Sequence, residues 1–246
     1  PFTFRAAGSS LSGQCSSEDV LIVCNDGFKK MEVIDDGKAL KCECGVIGSD
    51  ANDLLKPYNR KIGPDPATLA TALVGGILNN NSSGMCCGTA QNSYKTIRSI
   101  RVVLLDGSIL DTSDQKSIDQ FLKEKPQMVE DLLQLRKEIL ADEELTHLIH
   151  HKYKIKNTTG YGLNSLVDFE DIIDIINHLF IGSEGTLGFV SEVVYNTVDD
   201  VPHKGCGLMF FKTLNDASLA VVALANMGRE KVIAAEMMDY QSLRAV

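Results

Sequence analysis

The chain lacks the short signatures that most often announce a function. No GxxxxGK[ST] run is present, and no GxGxxG follows a strand and opens a helix, so neither a P-loop nor a Rossmann dinucleotide site is supported. No CxxC or CxxCxxC spacing joins the seven cysteines, and no HxH or HExxH joins the five histidines, which removes the ordinary zinc and iron–sulfur patterns. The cysteines are therefore read as reduced, structural thiols, and His147, His150 and His151 as surface groups. No apolar run reaches 18 residues and no charged-then-apolar leader opens the chain, so neither a membrane span nor a secretory signal is legible. The expected setting is cytoplasmic. Basic residues are also scarce: 24 Lys and Arg stand against 33 Asp and Glu, a formal net charge of −9. That balance argues against a nucleic-acid partner, because neutralising phosphates needs clustered cations. An anionic ligand would have to be held locally, by backbone N–H groups and a few basic residues.

What is present is enough apolar sequence for a sizeable core: 44% of 246 residues. Apolar runs at 20–24, 30–34, 39–47, 99–105 and 187–198 read as strands, and the opening PFTF is strand-like. Between 114 and 152 the pattern becomes charged and leucine-spaced, a helical insert that Pro126 should break into two helices. A further helix is expected over 169–180. After His203, GLMFFKTLNDASLAVVALANMG reads as strand, turn and a helix ended by Gly228, and KVIAAEMM as another strand.

Three polar, glycine-rich segments carry the chemistry: RAAGSSLSGQ (5–14), GPDPATLATALVGGILNNNSSGMCCGT (63–89) and IGSEGTLGF (181–189). Each mixes Gly, which permits close backbone approach, with Ser, Thr or Asn, which add short donors. That mixture suits a pyrophosphate nest better than a solvated turn. One such segment is commonly a structural loop. Three in one acidic chain point to a long ligand with two phosphates, held by backbone rather than by lysines.

These segments, together with the DG-turn strand pair VVLLDGSILDT and the run KNTTGYGLNSLVDFEDIIDIINHLFIGSEGTLGF, resemble the FAD-binding domain of the FAD-linked oxidase, or vanillyl-alcohol oxidase (PCMH-type), superfamily. The similarity is greatest to its D-lactate and D-2-hydroxyglutarate dehydrogenase branch, and it covers most of residues 1–200 in order. It implies an α+β fold, with the second α/β subdomain of the FAD-binding domain over 1–204 and its helical insert at about 114–152. Residues 205–246 would begin an α/β cap, or substrate, domain. The family places a small α/β subdomain before the pyrophosphate loop, so the chain is expected to be a fragment with that subdomain missing.

The resemblance also implies roles for individual residues. The backbone of Ala7, Gly8, Ser9, Ser10, Leu11, Ser12 and Gly13 would cradle the FAD pyrophosphate, with Arg5 leading in and Gln14 closing the loop. Pro64 and Asp65 begin the second segment, whose Gly75, Gly76, Asn80, Asn81, Ser82, Ser83 and Gly84 would run along the pyrophosphate and the flavin side. Gly88, Thr89 and Asn92 would continue that wall. Gly182, Ser183, Glu184, Gly185, Thr186 and Gly188 would approach the adenosine half, with Val190 packed nearby. Asn157, Thr158 or Thr159, Gly160 and Tyr161 match the family's NTGY element, toward the flavin face or the substrate. Glu184 would be repelled by phosphate, so it is expected to pair with a donor on a loop or on the ribose. Tyr161 reads equally well as a core tyrosine with a local partner.

The reaction implied is oxidation of a D-2-hydroxy acid such as D-lactate or D-2-hydroxyglutarate to the 2-oxo acid. Hydride passes to flavin N5 and the electrons go on to a downstream acceptor. FAD would be non-covalent, because RAAGSSLSG holds neither His nor Cys, and whether it binds the isolated fragment is left open at this point. The family's metal-binding HGHxGDGNxH-like segment is absent here, as are its iron–sulfur cysteine clusters, so no catalytic acid, base, metal or cluster ligand is assigned. Peripheral membrane attachment of a longer protein stays open. Alternatives are the same fold with alcohol or alditol oxidase or enolpyruvyl reductase chemistry, or a non-catalytic relative.

Overall fold

The computed structural model describes residues 2–158 and 160–245; Thr159, offered above for the NTGY-like element, lies outside them. The chain divides into two compact units, Pro1–Asp200 and Val201–Val246.

The first unit opens with a parallel pair, β1 (Phe2–Arg5) and β2 (Val20–Val23). There follow β3 (Met31–Ile34), β4 (Ala39–Glu43), α1 (Gly48–Leu55), a 3-10 turn at Lys56–Tyr58, and β5 (Arg60–Ile62). Next come α2 (Val74–Asn80), α3 (Ser93–Thr96), β6 (Ile97–Val103) and β7 (Ile109–Asp111). The helical insert supplies α4 (Gln115–Glu124), α5 (Pro126–Ala141) and α6 (Glu143–Lys152), before α7 (Ser165–Asp168), α8 (Ile172–Leu179) and β8 (Phe189–Asp199). The main sheet has the order β3-β4-β8-β6-β7, antiparallel at every pairing, and β5 also pairs with β8.

The long strand β8 organises this sheet. Its sequence FVSEVVYNTVD is rich in β-branched residues and barely alternates, as a strand covered on both faces requires. Tyr195 is opposite Leu40 on one side and Ile97 on the other. Its hydroxyl, fully buried, is satisfied by Ser93 Oγ at 2.7 Å. Leu40, Ile62, Leu78, Ile100, Val102, Ile176 and Phe121 share the same core, so the sheet, α2, α8 and the first insert helix form one apolar cluster. A smaller cluster of Ile139, Ile149, Leu166 and Ile175 ties α5 and α6 to α7 and α8.

The insert contains three helices where the sequence pattern predicts two. Pro126 takes the first position of α5, as expected, since its missing N–H is not needed there. The second break is at Asp142, whose carboxylate leaves the helical pattern to accept the Leu145 N–H at 2.9 Å and cap α6. In sequence, the Asp-Glu-Glu stretch is indistinguishable from a solvated helix face.

The second unit holds α9 (Leu214–Ala225), capped by Thr213, and α10 (Tyr240–Arg244), capped by Asp239. The strands expected within 207–212 and 231–238 do not form among the described residues. A strand needs a partner ladder, and no described segment of this unit supplies one. None of its described residues is buried. Among the described residues of the whole chain, no helix is long and apolar enough to cross a membrane.

His178 on α8 is the one buried histidine among the described residues. It stacks on Phe169 with ring centroids 4.0 Å apart and meets Tyr94 edge-on at 4.7 Å, while Nδ1 lies 2.7 Å from the Asp174 carbonyl. Burial pushes its pKa below the ordinary 6.5. The unfolded imidazole therefore binds a proton near pH 6.5 that the folded one resists. The stabilisation from keeping it neutral is complete above pH 6.5 and falls as the pH drops through that value. Urea denaturation between pH 7.5 and about 5.5 should show a stability loss that is distinctly shallower in His178→Asn; equal slopes would assign the loss to other groups.

Candidate functional site

The first glycine-rich segment is the crossover between two parallel strands, which forces it to loop over the sheet end rather than to turn tightly. Gly8 has φ +69°, and a Cβ there would sit 2.5 Å from Arg5 Nε, so the loop folds back onto the Arg5 side chain only because residue 8 has none. Gln14 Nε2 donates to Ser10 Oγ at 2.5 Å and closes the loop. Its Oε1 is buried without a partner.

The second segment contains α2. A Cβ on Gly75 would lie 2.7 Å from Cys44 Cβ, and one on Gly76 would lie 2.9 Å from Ala6 Cβ. The Gly-Gly pair therefore lets the helix rest against the end of β4 and the start of the first loop at once. Beyond the helix, the Asp65 carboxylate gathers the following turn: Oδ1 accepts from the backbone N–H of Gly84 and of Cys87, both at 3.0 Å, and Oδ2 accepts from Cys86 at 3.1 Å. Ser83 Oγ, on that turn, is buried with no partner.

The third segment is fastened to the last turn of α2. The N–H of Gly182 donates to the Leu78 carbonyl at 3.2 Å and that of Glu184 to the Asn79 carbonyl at 2.9 Å. Ser183 Oγ donates to Asn79 Oδ1 at 3.1 Å, and Asn80 Nδ2 donates to Glu184 Oε1 at 2.6 Å. Glu184 thus pairs with a protein donor, the side chain of the last residue of α2, and it holds φ +54° in doing so.

The three segments meet around an open cavity of about 480 Å³. Ala7, Gly8, Ser9, Ser10, Leu11, Ser12 and Gln14 line it from the first; Gly75, Gly76, Asn80, Ser82 and Ser83 from the second; Glu184, Gly185, Gly188 and Val190 from the third. A separate hollow of about 230 Å³ is lined by Asn81, Thr89, Asn92, Asn157 and Gly182. The remaining candidates line neither and serve the frame instead. Arg5 lies against Gly8, Asp65 and Gly84 form the gathered turn, and Pro64 is buried beside them. Gly13 and Gly88 take positive φ in loops, and Ser183 holds Asn79. Asn92, although it edges the second hollow, caps α3 by accepting the Lys95 N–H. Tyr161 has the local-partner role: its hydroxyl pairs with Thr186 Oγ1 at 2.8 Å, and Thr186 in turn donates to the Ser183 carbonyl.

The cavity also contains residues that sequence reasoning passed over. The Phe4 and Phe189 rings meet, tilted by 33°, with centroids 5.0 Å apart on one wall; Cys15, Cys24 and Cys44, Pro66 and Thr68, Leu73 and Ile77, Asn79, and Lys156 complete much of the rest. Pro66, Thr68, Leu73, Ile77, Asn79 and Phe189 lie inside the glycine-rich segments, Leu73 and Ile77 at i, i+4 spacing, whereas Cys24 and Cys44 come from stretches with no motif of their own. Burial pushes the Cys42 and Cys44 thiols up to about 12, and raises Cys24 as well. Among the described residues no group of three or more His, Cys, Asp or Glu could hold a metal ion.

Residues 1–113 match the family described as FAD binding domain. The D-2-hydroxyglutarate dehydrogenase of Pantoea ananatis is 27% identical over 195 residues, covering 78% of this chain and 19% of that protein. The D-lactate dehydrogenase of Archaeoglobus fulgidus is 23% identical over 229 residues, covering 92% of this chain and 39% of that protein. A solved alkyldihydroxyacetonephosphate synthase aligns over 80% of this chain and 27% of its own, at 17% identity and a TM-score of 0.48. The chain spans about a fifth of the length of the D-2-hydroxyglutarate dehydrogenases it matches. The likeness is thus to an FAD binding domain over residues 1–113 and, at low identity over most of the chain, to part of the D-2-hydroxyglutarate and D-lactate dehydrogenases.

Two outcomes are expected from this frame. Asp65→Ala leaves three backbone N–H groups without their acceptor and should cost about 2–3 kcal/mol in chemical denaturation; a change under about 0.5 kcal/mol would show that water replaces the carboxylate. In alkylation at pH 8, exposed Cys206 should react at least about a hundredfold faster than Cys42 and Cys44, whose thiolates burial suppresses.

Proposed function

We propose that this chain, with its FAD binding domain at residues 1–113, is the FAD-holding part of an oxidoreductase that converts a D-2-hydroxy acid to the 2-oxo acid. D-lactate and D-2-hydroxyglutarate are the substrates that its relatives' names suggest. The observation that supports this best is the convergence of three glycine-rich segments on one cavity that contains two buried, unpartnered polar atoms, Gln14 Oε1 and Ser83 Oγ. A buried polar atom without a partner costs stability, and the presence of two on residues that line the cavity supports a site completed by a ligand.

The donor set fits a dinucleotide. Gly8, Gly75 and Gly76 offer backbone without Cβ atoms, and Ser9, Ser10, Ser12, Ser82 and Ser83 offer short hydroxyls. Ser83 would donate to the bound group, and Gln14 Oε1 would accept from it. Asn80 keeps the Glu184 carboxylate turned to a protein donor, which lessens its repulsion of a neighbouring anion. The Phe4 and Phe189 rings and the Val190 side chain exclude water from one wall. The flavin, when bound, supplies the redox chemistry by accepting hydride from the substrate.

In this reading the cofactor is held without a covalent tether, which is supported by three observations: among the described residues no histidine lines the cavity, burial raises the Cys24 and Cys44 thiols, and Cys15 Sγ is turned to the Gly8 carbonyl at 3.9 Å. Tyr161 and Asn157 stand outside the cavity and orient the frame rather than exchange protons. The acid, base and metal ligands for the hydroxy acid come from the rest of the longer protein, together with the route to an electron acceptor. Residues 205–246 would begin its substrate domain.

Calorimetric titration of the chain with FAD, FMN and ADP tests this reading. FAD should bind most tightly, and Gly76→Val should abolish binding, since even a Cβ there would press on Ala6. Ser83→Ala should weaken FAD by about 1.5–3 kcal/mol, at least tenfold, while the free protein's Tm stays level or rises because an unpartnered buried hydroxyl is gone. Absence of FAD binding by the wild-type chain would reject a site formed within these residues.

A further inference from the structure

The cavity carries one acid and one base among the described residues that line it, Glu184 and Lys156, and they stand in opposite conditions. Glu184 Oε1 is occupied by the Asn80 amide at 2.6 Å. Lys156 makes no hydrogen bond or ion pair among the described residues, and its side chain is exposed. The backbone on either side is nevertheless fixed. Tyr153 donates its hydroxyl to the Tyr161 carbonyl at 2.6 Å and accepts the Leu163 N–H, and Asn81 Nδ2 donates to the Asn157 carbonyl at 3.2 Å. The result is a long, flexible cationic side chain anchored at its base, at the edge of a cavity that is otherwise neutral or acidic, in a chain of net charge −9.

We propose that Lys156 is a ligand-positioning residue whose ammonium closes onto the diphosphate of the bound dinucleotide. This rests on the FAD reading above. Backbone N–H groups and serine hydroxyls can hydrogen-bond a diphosphate, but they bring no net positive charge, and the field of an acidic chain opposes the ligand's approach. Among the described residues that line the cavity, Lys156 is the one cationic side chain that can offset that opposition. Its four-carbon stem and three rotatable donors suit it to reach a phosphate oxygen as a point charge without a preset geometry. Because the ammonium remains near solvent, its contribution is modest and sensitive to salt, which gives it a signature distinct from the buried hydroxyls.

The test compares wild type, Lys156→Met and Lys156→Arg in calorimetric titrations with FAD, ADP and riboflavin at low salt, repeated in about 0.5 M NaCl. Lys156→Met should bind FAD and ADP about three- to fivefold more weakly than wild type at low salt, with the difference vanishing at high salt. Lys156→Arg should bind like wild type, riboflavin should not distinguish the variants, and Tm should stay unchanged because Lys156 holds nothing in the free fold. Unchanged FAD and ADP affinity in Lys156→Met would overturn the inference while leaving the FAD reading intact. An equal loss for riboflavin would also overturn it, by placing the ammonium at the ring. A wild-type chain that binds no FAD would remove the FAD reading and this inference together.

Discussion

Everything at the cavity depends on the last turn of one short helix. The carbonyl of Leu78, which also accepts the Asn81 N–H, and that of Asn79 accept the N–H groups of Gly182 and Glu184, and the two asparagine side chains complete the join. A helix end needs acceptor satisfaction, and a loop with no regular structure needs donor satisfaction. Each solves the other's deficit. The same helix meets the first loop through Gly76 and β4 through Gly75, so all three glycine-rich segments are referred to one rigid body. Breaking this join would leave the sheet standing while the cavity lost its third wall.

The fold was legible in the sequence where a strand is covered on both faces or a helix has a clear stripe. β8 and β6 announced themselves by near-continuous apolar runs, and α4 and α5 by leucine spacing around Pro126. Short elements escaped. β5 is RKI, three residues that become a strand only because β8 offers an edge and Arg60 pairs with Asp199 at 2.5 Å. The reverse failure occurred in 231–238, where apolar residues read as a strand that has no described neighbour to pair with.

For the site, composition located the three segments but not the division of labour inside them. Ser83 and Asp65 look alike as polar letters in a glycine-rich run. One is a buried hydroxyl without a partner, the other a carboxylate that already holds three N–H groups. Only the backbone path separates a residue that builds the loop from one that faces the cavity. Cys44 and Phe4 carry no local signal of a cavity role, because they reach it from the residue after β4 and from β1, and Lys156 opens the KNTTGYG run without being distinguished within it.

The position of β8 at the middle of the sheet sets a schedule for making the protein. Leu40, Ile62 and Ile100 lie on strands that emerge from the ribosome early, yet their partners Tyr195, Thr197 and Val193 are translated near the close of this unit. Until then β4, β5 and β6 have no central strand to join, and their apolar faces must be shielded by local helices or by chaperones. Folding of the unit is thereby post-dated to the arrival of one strand, and a ribosome stalled just before residue 189 would display several unpaired sheet edges.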